Sequence, residues 1–270
     1  MTVRKITSAK INIGLYVFGV RNDGFHNIQS LFYPVNQDNS NLFGDIIDVE
    51  EGCFCGAGKV RLLQSGLTIP GSISSNISLK AYNILDEKFS LPPVQIHLEK
   101  NVPIGAGLGG GSADGVYTLM ALNELFRLNL SQSDLFYFSL KLGSDCPFFI
   151  ENVPTLVEGR GEVLRPVGEI DALKDCRIEI VPSDIFISTP HAYSIVRERD
   201  NEQINKIPSI SELIKYPISH WQDLLVNDFE TPVFNEYPQL KEIKEDLISR
   251  GAIYASMTGS GSAIYGIFSK

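Results

Sequence analysis

Pro103-Ile104-Gly105-Ala106-Gly107-Leu108-Gly109-Gly110-Gly111-Ser112-Ala113 decides how this chain is read. Five of the seven residues from Gly105 to Gly111 are glycine. A backbone without Cβ reaches positive φ, so that successive N–H groups can turn into one concavity. Ahead of the loop, Val94, Ile96 and Leu98 alternate with Gln95, His97 and Glu99, the period of a strand with one buried face. Behind it, Val116, Leu119, Met120, Leu122 and Phe126 form the apolar stripe of a helix expected to begin near Ser112. A strand, a glycine loop and a helix N-terminus in that order make an anion site from backbone amides and the helix dipole, with no basic side chain required. A flexible linker would instead sit between polar segments of low propensity.

Three phosphate loops share this appearance. A Walker A loop needs Lys-Ser/Thr after its last glycine, whereas Gly111 is followed by Ser112-Ala113. Gly105-x-Gly107-x-x-Gly110 matches the dinucleotide fingerprint literally, but that fold needs a strand after the helix with an acid about 20 residues on. Residues 127–142 read as a turn and a second helix, opened by a Ser131/Asp134 capping box and closed by Gly143. The protein-kinase loop belongs with His-Arg-Asp and Asp-Phe-Gly motifs, and the chain has neither.

Further out, Ile11, Ile13, Leu15 and Val17 alternate with Lys10, Asn12, Gly14 and Tyr16, a strand whose polar face carries Lys10 and Asn12. Asn22-Asp23-Gly24 favours a reversal. Residues 45–69 read as short β segments, and Ser75 or Asn76 is placed to cap a helix over Ile77 to Phe89. Residues 178–181 and 185–187 read as strands, Pro190 opens a helix, and Leu240, Ile243 and Leu247 mark another that stops at Gly251. Two strand-like runs, 253–257 and 263–268, flank Thr258-Gly-Ser-Gly-Ser262. Without regular βαβ alternation the class is α+β, with a boundary expected near 155–165.

With 270 residues the chain has room for about two domains. Hydrophobic residues make up 43% and charged residues 20%, the composition of a soluble globular protein. A net charge of −9 argues against nucleic acid and anionic membranes as partners, but not against a small polyanion bound by local amides. The first residues lack the apolar stretch of a signal peptide, and no run approaches the length of a membrane span, so a cytoplasmic location is expected. Cys53-Phe-Cys55 offers two sulfurs without a second pair or a nearby histidine, so no zinc site is expected, and the four cysteines are expected to be reduced thiols. Oligomeric state is left open.

Pro103 to Ala113 resembles the phosphate loop of the GHMP kinases, the group named for galactokinase, homoserine kinase, mevalonate kinase and phosphomevalonate kinase. Ser8-Ala-Lys-Ile-Asn-Ile-Gly-Leu15 resembles that group's N-terminal motif, and Met257-Thr-Gly-Ser-Gly-Ser-Ala263 its C-terminal glycine motif. Asp23-Gly-Phe-His26, Gly143-Ser-Asp-Cys-Pro-Phe148, Gly159-Arg-Gly-Glu162 and Asn227-Asp-Phe-Glu230 resemble the branch of the group that phosphorylates a cytidyl-diphosphate methylerythritol. The similarity runs from about residue 6 to the end, with every motif in order.

That resemblance implies the GHMP kinase fold, with a ribosomal-protein-S5-like N-terminal half over 1–157 and a ferredoxin-like C-terminal half over 158–270. It implies ATP and Mg²⁺ as cofactors and the C2 hydroxyl of the small-molecule substrate as acceptor. Asp145 takes the position of the catalytic aspartate and Lys10 that of the catalytic lysine, where an ammonium can stabilise developing phosphoryl charge. Pro103, Ile104, Gly105, Ala106, Gly107, Leu108, Gly109, Gly110, Gly111, Ser112 and Ala113 are assigned to ATP, with Lys100 and Asn76 as lesser contributors. Asn12, Phe25, His26 and Thr189 are assigned to the substrate. Ser112 is also placed to face Mg²⁺, whose protein ligands the sequence leaves unassigned. The family usually carries Tyr where Phe25 stands; stacking on cytosine survives that change, whereas a phenolic hydrogen bond does not. Ser8 stands where proline is common. Cys146 is read as a small packing residue whose thiol could sensitise the site to alkylation. His97 is read as a solvated surface residue. The competing readings are another GHMP kinase acting on a different small alcohol, and a non-catalytic ligand-binding member of the fold.

Overall fold

The computed structural model describes residues 1–52, 58–199 and 208–270, so Cys53 and Cys55 lie outside the described residues. Two compact units emerge, each drawn from separate stretches of chain. The first comprises Met1–Ala9, Phe43–Ile104 and Gly109–Asn152, and the second Lys10–Leu42, Gly105–Leu108 and Val153–Lys270.

The first unit is built on a four-stranded sheet, in the order β1 (Thr2–Ile6), β4 (Ile46–Glu51), β6 (Val94–Lys100), β5 (Val60–Gly66). β4 runs antiparallel to both neighbours, while β5 pairs parallel with β6. Val94, Ile96 and Leu98 turn inward as their alternation requires. They meet Leu85 of α1 (Ile77–Phe89), Leu119 and Leu122 of α2 (Gly110–Phe126) and Phe138 of α3 (Gln132–Leu142). His97 stays on the outer face, where its ring pairs with the Ser65 hydroxyl at 3.0 Å. Asn76 caps α1 by accepting the Ser78 N–H at 2.8 Å, and Ser131 and Asp134 close the expected capping box on α3. α2 starts at Gly110, two residues before the expected Ser112, because Gly109 at φ +71° turns the chain directly into the helix.

The second unit holds two sheets. One is ordered β2 (Ala9–Val20), β3 (His26–Val35), β7 (Thr155–Gly159), β8 (Val163–Pro166). The other is antiparallel, with β11 (Ile264–Ser269) between β10 (Tyr254–Met257) and β9 (Cys176–Val181). Phe229, Val233, Leu240 and Leu247, from helices over Glu230–Glu236 and Pro238–Ser249 and the turn before them, pack with Leu15, Val17, Met257 and Ile264. Residues 185–187, expected as a strand, join no ladder: Ile187 is a core residue, and the Ile185 carbonyl accepts the Ser262 hydroxyl instead. Among the described residues no helix is long and apolar enough to cross a membrane.

Candidate active site

β2 departs most usefully from its sequence reading. Alternation predicts one buried and one polar face, yet every residue from Ala9 to Val17 is buried. The polar face is tolerated because its atoms are paired. Lys10, 3% exposed, donates from Nζ to Asn12 Oδ1 at 2.6 Å and to the Gly107 carbonyl at 2.9 Å, and lies 4.6 Å from the centre of the Phe32 ring. Asn12, 1% exposed, donates from Nδ2 to the Ser30 hydroxyl at 2.8 Å, which in turn donates to the Gly14 carbonyl at 2.7 Å. Thr258 Oγ1 accepts the Asn12 N–H at 3.1 Å and lies 3.1 Å from the Gly107 carbonyl. Asn12 therefore orients Lys10, with both ends of its amide engaged.

The same contacts seat residues 105–108 of the glycine loop. The Lys10 N–H donates to the Leu108 carbonyl at 2.9 Å, and the Ala263 N–H to the Ala106 carbonyl at 3.2 Å. Gly107 has φ +75°, and a Cβ there would fall 2.0 Å from the Thr258 carbonyl oxygen. Only glycine fits so close an approach.

In the first unit, Gly109 at its positive φ leads into α2, whose first N–H groups have no intrahelical acceptor. Ser112 is half-buried in that turn and hydrogen-bonds the Cys146 thiol. Asp145, also half-buried, is the third residue of a turn closed by the Cys146 N–H on the Gly143 carbonyl at 3.3 Å. A carboxylate and a hydroxyl are thus both held next to Cys146. Cys146 itself is fully buried, and burial pushes its thiol up to about 12. Burial and a raised pKa both argue against the sensitivity to alkylation read from the sequence.

Two of the residues assigned to ATP do other work here. Lys100 is buried between Asp45 and Asp114, donating to them at 2.5 and 2.8 Å. The Asn76 side-chain oxygen is the cap of α1.

The turn from Arg21 to His26 is closed by the Arg21 N–H on the Phe25 carbonyl at 2.7 Å and by Asp23 accepting the Phe25 N–H. Phe25 is 49% exposed, with the Arg160 guanidinium 5.0 Å from its ring centre, and Arg21 pairs with Glu162 at 3.4 Å. The Asp23-Gly-Phe-His26 and Gly159-Arg-Gly-Glu162 motifs are therefore neighbours. His26 meets Glu198 at 2.9 Å and stacks on Tyr193 at 4.8 Å. Tyr193 belongs to the helix Thr189–Ile195, whose exposed first residue is Thr189.

Sequence reasoning gave no role to Tyr193, Thr258 or Ser30, and none to the residues of Asn227-Asp-Phe-Glu230. Asn227 donates to the Met257 and Gly259 carbonyls at 2.7 and 2.9 Å. Asp228 accepts the Val17 N–H at 2.8 Å and takes a two-pronged contact from Arg199. Glu230 accepts from Met257 N–H, Ser256 and Lys244. This motif fastens the C-terminal glycine turn that carries Thr258. The available signal was its density of short polar side chains before an apolar helix.

Comparison with known proteins accords with this geometry. The GHMP kinases N terminal domain model matches residues 76–152, and the GHMP kinases C terminal model matches residues 209–270. The 4-diphosphocytidyl-2-C-methyl-D-erythritol kinase of Azobacteroides pseudotrichonymphae is 42% identical over 97% of this chain and 92% of its own length. The enzyme of the same name from Bacteroides fragilis is 42% identical over 97% and 90%. A crystal structure of 4-(cytidine 5'-diphospho)-2C-methyl-D-erythritol kinase superposes with a TM-score of 0.74 at 29% identity, covering 98% of this chain and 89% of that one. The Methanococcus jannaschii mevalonate kinase shares the fold, with a TM-score of 0.64 at 13% identity over 99% and 90% of the two chains. Identity this high, sustained along nearly the whole of both sequences, means that the chain belongs to the 4-diphosphocytidyl-2-C-methyl-D-erythritol kinase family of GHMP kinases.

Proposed function

We propose that this chain transfers the γ-phosphoryl group of ATP to the C2 hydroxyl of 4-diphosphocytidyl-2-C-methyl-D-erythritol, a step of non-mevalonate isoprenoid precursor synthesis. The observation that carries this reading is the seating of Lys10 on the glycine loop itself, by its backbone N–H on Leu108 and its ammonium on Gly107. A lysine fixed on the loop that cradles phosphates has its charge where phosphoryl transfer develops negative charge. The family-model matches fall on either side of residue 157, and we keep 1–157 and 158–270 as the proposed domains.

The residues divide the work as follows. Amides of the glycine loop and the first turn of α2 hold the ATP phosphates. Asp145 takes the proton from the C2 hydroxyl as its oxygen bonds to the γ-phosphorus, while the bond from that phosphorus to the bridging oxygen breaks and ADP leaves. Asn12 keeps Lys10 aimed. The exposed face of Phe25 stacks on cytosine, a contact that needs no phenolic hydroxyl. In the tautomer that donates from Nε2 to Glu198, His26 Nδ1 is an acceptor suited to the cytosine amine. Thr189 lines the substrate as a helix-start hydroxyl.

Mg²⁺ fits the oxygen donors here. The Ser112 hydroxyl and the Asp145 carboxylate both adjoin Cys146, and among the described residues no cluster of three or more His, Cys, Asp or Glu forms a complete protein cage. The Ser112 hydroxyl would face the ion, with water and phosphate oxygens completing its shell, and it would supply neutralisation of phosphate charge.

The test is ATP consumption across a panel of small alcohols that includes the cytidyl substrate. Turnover is expected with that substrate above all others. Indifference to the cytidine moiety would transfer the chain's activity to another small alcohol, and no consumption with any acceptor would make it a non-catalytic member of its fold.

A further inference from the structure

Beneath the first turn of α2 lies a charged cluster that the reaction above does not use. The Lys100 ammonium faces two carboxylates, Asp45 and Asp114, which are 0% and 2% exposed. Two ionised carboxylates against one ammonium leave a net negative charge in a dry site, and a buried charge without compensation is relieved most readily by a proton. The surroundings decide which carboxyl takes it. Asp45 Oδ1 accepts the N–H groups of Asn101 and Val102 at 2.6 and 2.8 Å, and its Oδ2 takes the ammonium at 2.5 Å, so three donors satisfy it. Asp114 Oδ2 meets the ammonium, but its fully buried Oδ1 has no hydrogen-bond partner among the described residues. Among those residues, Lys100 and Asp45 are the ionisable groups acting on Asp114 from the elements packed around α2. Burial drives the Asp114 carboxyl well above the ordinary carboxylate value, with the attraction of Lys100 opposing and the repulsion of Asp45 assisting.

We infer that Asp114 is held as the neutral carboxylic acid, and that its neutrality keeps negative charge away from the helix end that receives the nucleotide phosphates. The second half rests on the phosphate-loop assignment above. The coupling is short: Gly110, the first residue of α2, packs so closely on Lys100 that a Cβ there would lie 3.1 Å from Nζ. Asp114 is the fifth residue of α2, just past its first turn, and a full charge there in a dry site is little screened from an anion bound at the helix end. Asp114 is thus a positioning residue, one that sets the charge under the loop without touching ATP.

The experiment follows the Asp114 Cγ resonance by carbon-13 NMR in the full chain, assigned through bonds in the wild-type protein so that no variant is needed. At about pH 6, some two units above the usual Asp pKa, it is expected at the neutral-acid position while exposed aspartates have ionised. A carboxylate position at that pH overturns the inference. On unfolding, the native chain releases this extra proton above the unfolded pKa. Stability is therefore expected to fall as pH rises from about 4 through the native pKa. A second arm measures KM for ATP against pH. Ionisation of Asp114 is expected to raise that KM by about 2- to 30-fold, the span of a charge at a helix end, and Asp114→Asn is expected to abolish the rise while kcat follows the wild type. An unchanged slope in the variant overturns the link to the nucleotide. A failure of the kinase assignment would be seen separately, as absent ATP turnover at every pH with the resonance still reporting.

Discussion

Two lysines are buried to the same degree, 3% exposed each, and each engages its own set of partners. Lys100 in the first unit meets two carboxylates, which match its charge internally. Lys10 in the second is oriented by an amide oxygen, a backbone carbonyl and the face of Phe32. Burial alone therefore does not assign a lysine its role; we propose that Lys10 acts on the phosphoryl group and Lys100 on the fold. Asp114, buried on α2, differs likewise from Asp145, half-buried in a tight turn.

The sharpest way to break this comparison is to neutralise each member in turn. Asp145→Asn is expected to lower kcat by about 10²–10⁴ if Asp145 is the general base, with the urea unfolding midpoint little moved. Near-normal turnover in steady-state assays would reduce Asp145 to positioning. Lys10→Met is expected to lower kcat by about 10²–10³, the loss of one preorganised charge donor. Lys100→Met inverts the pattern. It strands the Asp45 carboxylate and is expected to cost about 3–5 kcal/mol in urea unfolding, with kcat largely kept in whatever folds. Loss of activity at unchanged stability would erase the distinction between the two lysines.

Much of this was legible beforehand, and the limits have physical causes. The strand alternation of residues 94–100, the Ser131/Asp134 box and the glycine loop are local patterns, readable because their reasons lie within a few residues. The burial of Lys10 was not, since its partner Gly107 is 97 residues away in sequence and is held by Thr258, 151 residues further on, through a close backbone approach. Residues 185–187 have the composition of a strand but no edge to join, which no local pattern reveals. The roles proposed for Lys100 and Asn76 came from resemblance, and only the packing showed that both side chains are engaged in holding the fold.

Smaller effects sharpen the picture at the recognition turn. Phe25→Ala is expected to raise KM for the cytidyl substrate by a factor equivalent to about 1–3 kcal/mol, the worth of one stacked base, and KM for ATP far less. Equal changes in both constants would remove Phe25 from nucleobase recognition. The smallest expected signal is a null one: iodoacetamide at about pH 8 leaves Cys146 unmodified in the native chain and labels it after unfolding, read by mass spectrometry. Its native pKa lies above the unfolded value, so the stability linked to the neutral thiol is intact below pH 9 and is lost as pH climbs toward about 12.

The turn around Phe25 has a consequence for how this enzyme family can change. Its fastenings are surface ion pairs, Arg21 with Asp23 and Glu162, together with a half-exposed ring under Arg160. Exposed pairs of this type contribute about 0–1 kcal/mol each, so substitutions there are nearly free of folding cost. The strand bearing Lys10 is buried from Ala9 to Val17, where substitutions cost far more. Mutation is therefore channelled: the part proposed to read the acceptor can be retuned by single steps, while the strand segment proposed to act on the phosphoryl group stays locked in the core.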